Sequence, residues 1–306
     1  MAMKVITPGA LTTVQDGGRY GYQSTGIGVG GCMDMDSYRK ANYLVGNEKG
    51  EAVLEFTLIG GMLELTEETV LALTGADMAP KQNGEPVPMN VPLAFQAGDV
   101  LELGMAGTGC RCYLAVAGGI EVPLYLGSRS TNLKCKFGGY QGRALQRGDV
   151  LEVGKSGKPY EQLKDRECFT EEYPNTVVVR VIEGPQEEYF TKKGKKTFYK
   201  SVYTVSDKSD RMGCRLDGPA VESFDGTDII SDGIAPGSVQ VPADGKPIVL
   251  LADRQTTGGY AKIASVCSFD IPKLAQCKPG NKVRFQKITL EKAQRIMREA
   301  KKDELF

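Results

Sequence analysis

Apolar residues along the chain fall in short runs, many alternating with polar positions, and the runs are separated by glycines, prolines and Asn-Gly or Asp-Gly pairs. Alternation with a period of two puts successive side chains on opposite faces of a strand, and a pair that tolerates positive φ reverses the chain. The pattern therefore predicts many short strands joined by tight turns, with clear strands at 62–65, 70–73, 100–103, 112–116, 176–182, 248–252 and 282–286. Hairpin turns are expected at Asn83-Gly84, Asp225-Gly226, Asp232-Gly233 and Asp244-Gly245. Strands of this length suit sandwiches or barrels, and the fold class that follows is mainly β with a few short helices.

Two segments change period. Across 35–45 the apolar or aromatic positions 35, 38, 41, 44 and 45 share one helical face, Asp34 stands where a cap belongs and Gly46 where the helix should end. Near the other end, Thr289 precedes a stripe of Leu290, Ala293, Ile296, Met297 and Ala300. Both helices are expected to cover a β core. The segment Gly98-Asp99-Val100-Leu101-Glu102-Leu103-Gly104 recurs as Gly148-Asp149-Val150-Leu151-Glu152-Val153-Gly154. This predicts one turn-then-strand unit used twice. The polar stretch 155–175 reads as a linker, giving an N-terminal β domain over 1–165 and a C-terminal one over 176–306.

The 306 residues are enough for two domains with real cores. Thirty-eight basic and thirty-eight acidic side chains cancel, which excludes a dominant electrostatic pull toward nucleic acid or an anionic membrane. No run approaches the roughly 20 apolar residues of a spanning helix, and residues 1–12 lack the regions of a secretion signal, so a cytoplasmic protein is expected. The closing Lys302-Asp303-Glu304-Leu305-Phe306 resembles a retention signal displaced by Phe306 and reads as helix tail. Eight cysteines without a CxxC pair read as reduced, mostly buried thiols. The absence of histidine removes every Ser-His, Cys-His and histidine–metal arrangement, leaving Asp, Glu, Lys, Tyr or Cys for proton transfer.

Gly26-Ile27-Gly28-Val29-Gly30-Gly31 satisfies GxGxxG, but no buried strand precedes it and no strand–helix alternation follows, so a dinucleotide site is not expected. A ligand-approaching loop and a structural turn both remain open there. Ala2-Met3-Lys4 is not a biotin carrier, because such a lysine needs a hairpin in the middle of its own small domain. Ser209-Asp210-Arg211-Met212-Gly213 and Asp253-Arg254-Gln255-Thr256-Thr257-Gly258-Gly259-Tyr260 gather polar groups beside glycines at strand ends. Arginine there can grip a carboxylate while aspartate orients it or moves a proton, the alternative being two salt-bridged turns. Gly127-Ser128-Arg129-Ser130-Thr131 reads as an oxyanion binder, and Gln15-Asp16-Gly17-Gly18-Arg19 has the same mixture, with a plain turn as its alternative.

Those segments, with Met33-Asp34 before Ala41-Asn42, residues 114–120, Gly184-Pro185-Gln186 and Gln240-Val241-Pro242, occur in an order that resembles the biotin-dependent carboxyltransferase-like family over nearly the whole chain. That family includes the third subunit of bacterial 5-oxoprolinase, the KipA-type antagonist of a sporulation-kinase inhibitor, the second subunit of allophanate hydrolase and the matching region of urea carboxylase. One departure is Gly28 followed by Gly30-Gly31-Cys32-Met33-Asp34, where many relatives have a proline and a Ser-Gly-Ala-Met-Asp run.

The resemblance implies two cyclophilin-like β-barrel domains with a pocket between them. It also implies a subunit of an ATP-dependent 5-oxoprolinase complex that opens 5-oxoproline to L-glutamate, its partners being a KipI-like subunit and a lactam-utilisation subunit. Asp210, Arg211, Tyr260 and Asp34 are then the expected catalytic residues, and Asp16, Arg19, Arg129, Ser130, Gln255, Thr256 and Thr257 the substrate-binding ones. No cofactor or metal is expected on this chain, ATP being used by the complex. Two alternatives stay open: a regulatory KipA-like protein that antagonises a kinase inhibitor, and a urea carboxylase or allophanate hydrolase type of carboxyltransferase component, with biotin on another chain.

Overall fold

The computed structural model describes residues 2–302; the reading of 303–306 as a helix tail lies outside the described residues. The chain divides into two compact units, the first formed by residues up to Tyr20 and Gly30–Tyr173, the second by Gly21–Val29 and the residues from Pro174 onward. Among the described residues no helix is long and apolar enough to cross a membrane.

The first unit begins with β1 (Ala2–Thr7), β2 (Thr12–Gln15) and α1 (Met35–Leu44), then β3 (Val53–Thr57), β4 (Met62–Leu65) and β5 (Thr69–Gly75). A hairpin of β6 (Lys81–Gln82) and β7 (Glu85–Pro86) turns on Asn83-Gly84, both at positive φ as expected. After it come β8 (Pro92–Phe95), β9 (Val100–Glu102), β10 (Arg111–Val116), β11 (Ile120–Glu121) and β12 (Val150–Val153). These strands make a seven-stranded sheet, β11-β12-β1-β4-β9-β6-β7, and a five-stranded one, β2-β3-β10-β5-β8. Alternate residues of both meet in one core, with Met3, Val5, Leu63, Leu101 and Leu151 from one sheet and Val14, Leu54, Phe56, Leu73 and Leu114 from the other. Each apolar side chain buried this way stabilises by about 1.5–3 kcal/mol.

Helix α1 covers the outer face of the five-stranded sheet, packing Tyr38, Ala41 and Leu44 against Val53, Val70, Ala72, Tyr113 and Ala115. Its start is fixed as the sequence suggests: the Asp34 carboxylate accepts from the Asp36 and Ser37 amides, a cap worth about 1 kcal/mol. The 155–175 stretch is polar yet not free. Leu163 is fully buried in the same cluster, with Tyr160 and Cys168 beside it, so the segment straps α1 down.

The repeated Gly-Asp-Val-Leu-Glu motif is one turn built twice. Gly98 donates to the Leu65 carbonyl and Gly148 to the Val5 carbonyl, while Leu65 and Val5 donate back to Asp99 and Asp149. Each aspartate also receives the amide of the glutamine three residues earlier, Gln96 at 2.8 Å and Gln146 at 2.7 Å. Both glycines sit near φ +88°, which a side chain would strain. β9 flanks β4 and β12 flanks β1, so a local two-fold relates the copies across the antiparallel β1–β4 pair.

The second unit has β13 (Thr176–Glu183), α2 (Lys192–Lys200), β14 (Tyr203–Val205), β15 (Gly213–Asp217), β16 (Asp228–Gly233), β17 (Ser238–Gln240), β18 (Ile248–Leu250), β19 (Thr257–Tyr260) and β20 (Lys262–Val266). It ends with α3 (Ile271–Ala275), β21 (Lys282–Lys287) and α4 (Leu290–Lys302). Seven strands close a barrel, β13-β20-β17-β18-β15-β14-β21, sealed by the parallel pairing of β13 with β21. β16 and β19 form a separate two-stranded ribbon. Phe198 of α2 stacks on Phe285 of β21 at 4.3 Å between centroids. Asp270, before α3, is fully buried and receives Arg180 through two guanidinium nitrogens at 2.7 and 2.6 Å and Lys273 at 2.8 Å.

The mainly β fold class and all seven clear strands are borne out, but three sequence-level expectations are corrected. Asp232-Gly233 is not a turn: it ends β16, where Gly233 pairs with Thr257. Asp225-Gly226 lies ahead of β16 and joins no paired strands. Helix α4 forms with Thr289 as its cap, yet its stripe does not cover a core, because Leu290 is 51 % exposed and Met297 38 %.

Candidate active site

In the first unit, the residues expected to bind substrate hold one another instead. Asp16 leaves the end of β2 and is 5 % exposed. Its carboxylate accepts from the Ser128 hydroxyl at 2.7 Å, the Ser130 hydroxyl at 2.5 Å, the Arg129 amide at 2.5 Å and the Gly18 amide at 2.8 Å. The 127–131 loop therefore does enclose an oxyanion, and that oxyanion is the Asp16 side chain. Arg19 lies at 1 % exposure beneath the same loop. It donates to the Tyr125 and Ser130 carbonyls and sits 4.8 Å over the Phe137 ring, the desolvated setting in which a cation–π contact is strongest. The Arg129 guanidinium faces Glu51 at 3.6 Å. The glycine-rich segment approaches closely, since a Cβ at Gly31 would come within 3.0 Å of the Gly18 backbone.

Asp34 is also committed. Besides capping α1 it takes the Ser37 hydroxyl at 2.7 Å, and its amide donates to the Tyr113 hydroxyl, which donates in turn to Glu55 at 2.8 Å. Burial, then the negative charges of Glu55 and Asp34, push the Tyr113 phenol well above its ordinary range. Glu55 further accepts the Met33 amide at 2.8 Å. Glu55 and Tyr113 are not among the residues expected from the sequence, although a glutamate inside the apolar run of β3 is a visible signal.

The second unit places the remaining residues around a cavity of about 540 Å³, lined by Asp210, Gln240, Gln255 and Tyr260 with Met212 and Ile248. Asp210 is exposed and closes its own turn by accepting the Met212 and Gly213 amides through one oxygen. Arg211 does not line this cavity. It is 6 % exposed and grips Asp253 at 2.9 and 3.2 Å, so the salt-bridged-turn alternative describes it. Arg254, equally buried, donates to the Ile234 and Leu251 carbonyls. Thr256 and Thr257 lead into the ribbon, where the Thr256 carbonyl accepts the Ile234 amide and Thr257 opposes Gly233.

Four residues absent from the expected site adjoin this group. Gln240 donates to the Tyr260 carbonyl at 3.2 Å. Arg215 lines the cavity from the outward face of β15. Lys262 has a side chain only 3 % exposed, and its ammonium meets Asp232 of the ribbon at 3.0 Å, which together with the Gly233 amide holds the Asp232 carboxyl below the usual carboxylate range. Strand register brings Arg215, Gln240 and Lys262 to one side of the barrel and the ion pair with Lys262 adds Asp232; of the four, only Gln240 falls in a segment that carries the family resemblance.

Gly258 controls how the amides pack. A Cβ there would lie 2.8 Å from Gln240 Nε2, 2.7 Å from Ile234 Cδ1 and 3.5 Å from Gln255 Nε2. All three are ends of side chains that can move. Gly258→Ala is therefore expected to cost less than about 1 kcal/mol of stability while displacing Gln240 and weakening ligand binding about tenfold. Parallel thermal unfolding and ligand titration test this, and a variant that binds as tightly as the wild type, or that loses several kcal/mol of stability, would contradict it.

Comparison with known proteins agrees with this architecture. The family described as carboxyltransferase domain, subdomain A and B, matches residues 25–287. The C subunit of 5-oxoprolinase from Escherichia coli (strain K12) is 40 % identical over 291 residues, covering 95 % of this chain and 93 % of that protein. Its namesake from Haemophilus influenzae is 34 % identical, covering 96 % of this chain and 93 % of that one. Among solved structures, Kluyveromyces lactis urea carboxylase superposes with a TM-score of 0.89 at 31 % identity, over 98 % of this chain and 28 % of that one. A match across both units, at an identity well above that at which fold alone is shared, decides the matter: the chain belongs to the carboxyltransferase-domain family.

Proposed function

We propose that this chain is a subunit of a hydrolase complex of the 5-oxoprolinase type, opening the ring of 5-oxoproline to L-glutamate at the expense of ATP. The observation that carries the reading is the 40 % identity to the C subunit of a 5-oxoprolinase along nearly the full length of both proteins. That relative's designation as one lettered member of a set supports further subunits, which we take to be a KipI-like protein and a lactam-utilisation protein. ATP would be handled by the complex, since no GxxxxGK[ST] loop occurs in this chain.

The second unit's cavity suits such a substrate. Carboxamide side chains from Gln240 and Gln255 offer both a donor and an acceptor to a lactam, and Asp210 and Tyr260 are the groups available to pass a proton to the ring nitrogen. Within the first unit, Asp34, Asp16, Arg19, Arg129 and Ser130 fix the backbone of that unit's own loops. Reconstitution with the two partner subunits tests the proposal. ATP-dependent glutamate release from 5-oxoproline should need this chain, and an unchanged rate without it would refute the assignment.

A further inference from the structure

The barrel register lines up a row of side chains that the sequence leaves scattered. Arg215 of β15 lies opposite Ile248 of β18, and Ile248 lies opposite Gln240 of β17. Residues directly opposite on neighbouring strands share a face, and all three line the 540 Å³ cavity. With strands about 4.8 Å apart, the row runs ~10 Å from the arginine to the glutamine.

The charge of Arg215 is not spoken for. Among the described residues its guanidinium has no ion pair and no hydrogen-bond partner, in contrast to Arg211, whose fork is filled by Asp253. The four acids on the cavity wall each have a partner other than Arg215: Asp217 pairs with Lys246 at 2.8 Å, Asp244 receives the Lys246 amide, Asp210 receives two amides of its own turn and Asp207 receives the Ser206 hydroxyl at 3.3 Å. The order of chemistry along the row is thus cation, aliphatic surface, carboxamide. A ligand that fits it has a carboxylate at one end, one or two methylenes, and an amide at the other.

We propose that Arg215, and not Arg211, binds the substrate carboxylate, while Ile248 packs against the ring methylenes and Gln240 reads the amide. The proposal rests on the functional reading above and narrows its substrate class to small acids bearing a lactam or amide. A planar guanidinium takes a carboxylate through two parallel hydrogen bonds, which fixes the orientation of the ring over Ile248. A neutral lactam of the same size, such as 2-pyrrolidinone, forgoes that contact and loses nothing when the arginine is removed.

The test uses the reconstituted complex with wild-type, Arg215→Met and Arg215→Lys chains. Turnover of 5-oxoproline is measured alongside binding of 5-oxoproline and 2-pyrrolidinone by saturation-transfer NMR. Arg215→Met should raise KM for 5-oxoproline about 30-fold, the loss of one charge-assisted contact of about 2 kcal/mol. It should change kcat less than about threefold and leave 2-pyrrolidinone binding untouched, with Arg215→Lys recovering part of the loss. Unchanged 2-pyrrolidinone binding also shows that the Met variant is folded. A wild-type KM in Arg215→Met, or equal weakening of both ligands, overturns the proposal. A wild-type complex that binds 5-oxoproline through Arg215 but never turns it over would remove the functional assignment and leave this contact standing.

Discussion

Replacing Asp270 by alanine is expected to lower the stability of the second unit by about 3–5 kcal/mol, the loss of the hydrogen bonds that Arg180 and Lys273 make to a fully buried carboxylate, discounted because both cations stay partly solvated. Asp270 is the shared acceptor of Arg180 and Lys273 and ties α3 to β13. Burial pushes its carboxyl up, but hydrogen bonds from Arg180 and Lys273 outweigh that and leave it below its ordinary value of 3.8. A depressed carboxyl contributes stability that is present above its unfolded pKa and lost as pH falls through the folded one. The wild-type protein should therefore lose this contribution below about pH 4, and Asp270→Ala should flatten that limb of the stability–pH curve. Urea unfolding followed by circular dichroism across pH 3–7 reads both effects, and parallel curves would show that Asp270 is not the linked group.

Asp16→Ala is expected to be nearly as damaging in the first unit. Four donors would lose their acceptor at once, and an unsatisfied buried donor costs about 1–3 kcal/mol, so even with relaxation about 3–5 kcal/mol is at stake. Asp16→Asn keeps the oxygen that accepts from Ser128, Ser130 and Gly18 and turns its NH₂ only toward the Arg129 amide, so it should recover most of the loss. Hydrogen exchange at the amides of 127–131 should accelerate in both variants. If Asp16 instead served mainly to contact a ligand, binding would fall while exchange and stability stayed as in the wild type.

These two aspartates show where sequence reasoning succeeds and where it stops. Alternation in Val177, Val179 and Val181 is enough to place β13, because one face of a strand must be buried whatever lies opposite. Asp34 and Gly46 mark the ends of α1, because caps are local chemistry. The candidate site depends on which residue faces which across strands. Arg211 and Arg215 are four residues apart and identical in type, yet one is sealed against Asp253 and the other borders a cavity. Asp16 and Ser130 both announce themselves as polar loop residues, but composition does not say whether a carboxylate awaits a ligand or already satisfies its neighbours. The α4 stripe suggests burial because periodicity reports amphipathicity and is silent about what, if anything, packs on the apolar side.

The position of β1 has a consequence for how the first unit is made. Met3 opposes Leu65 on one side and Leu151 on the other, so a strand translated early is flanked by one that leaves the ribosome much later. Pairings of such long sequence separation are slow to form, because the loop must close before any contact rewards it. Until Val153 has emerged, one edge of β1 stays unpaired and able to join another nascent chain. Yield of correctly assembled protein should thus respond more to translation speed and chaperone supply around that stretch than to the stability of the finished molecule.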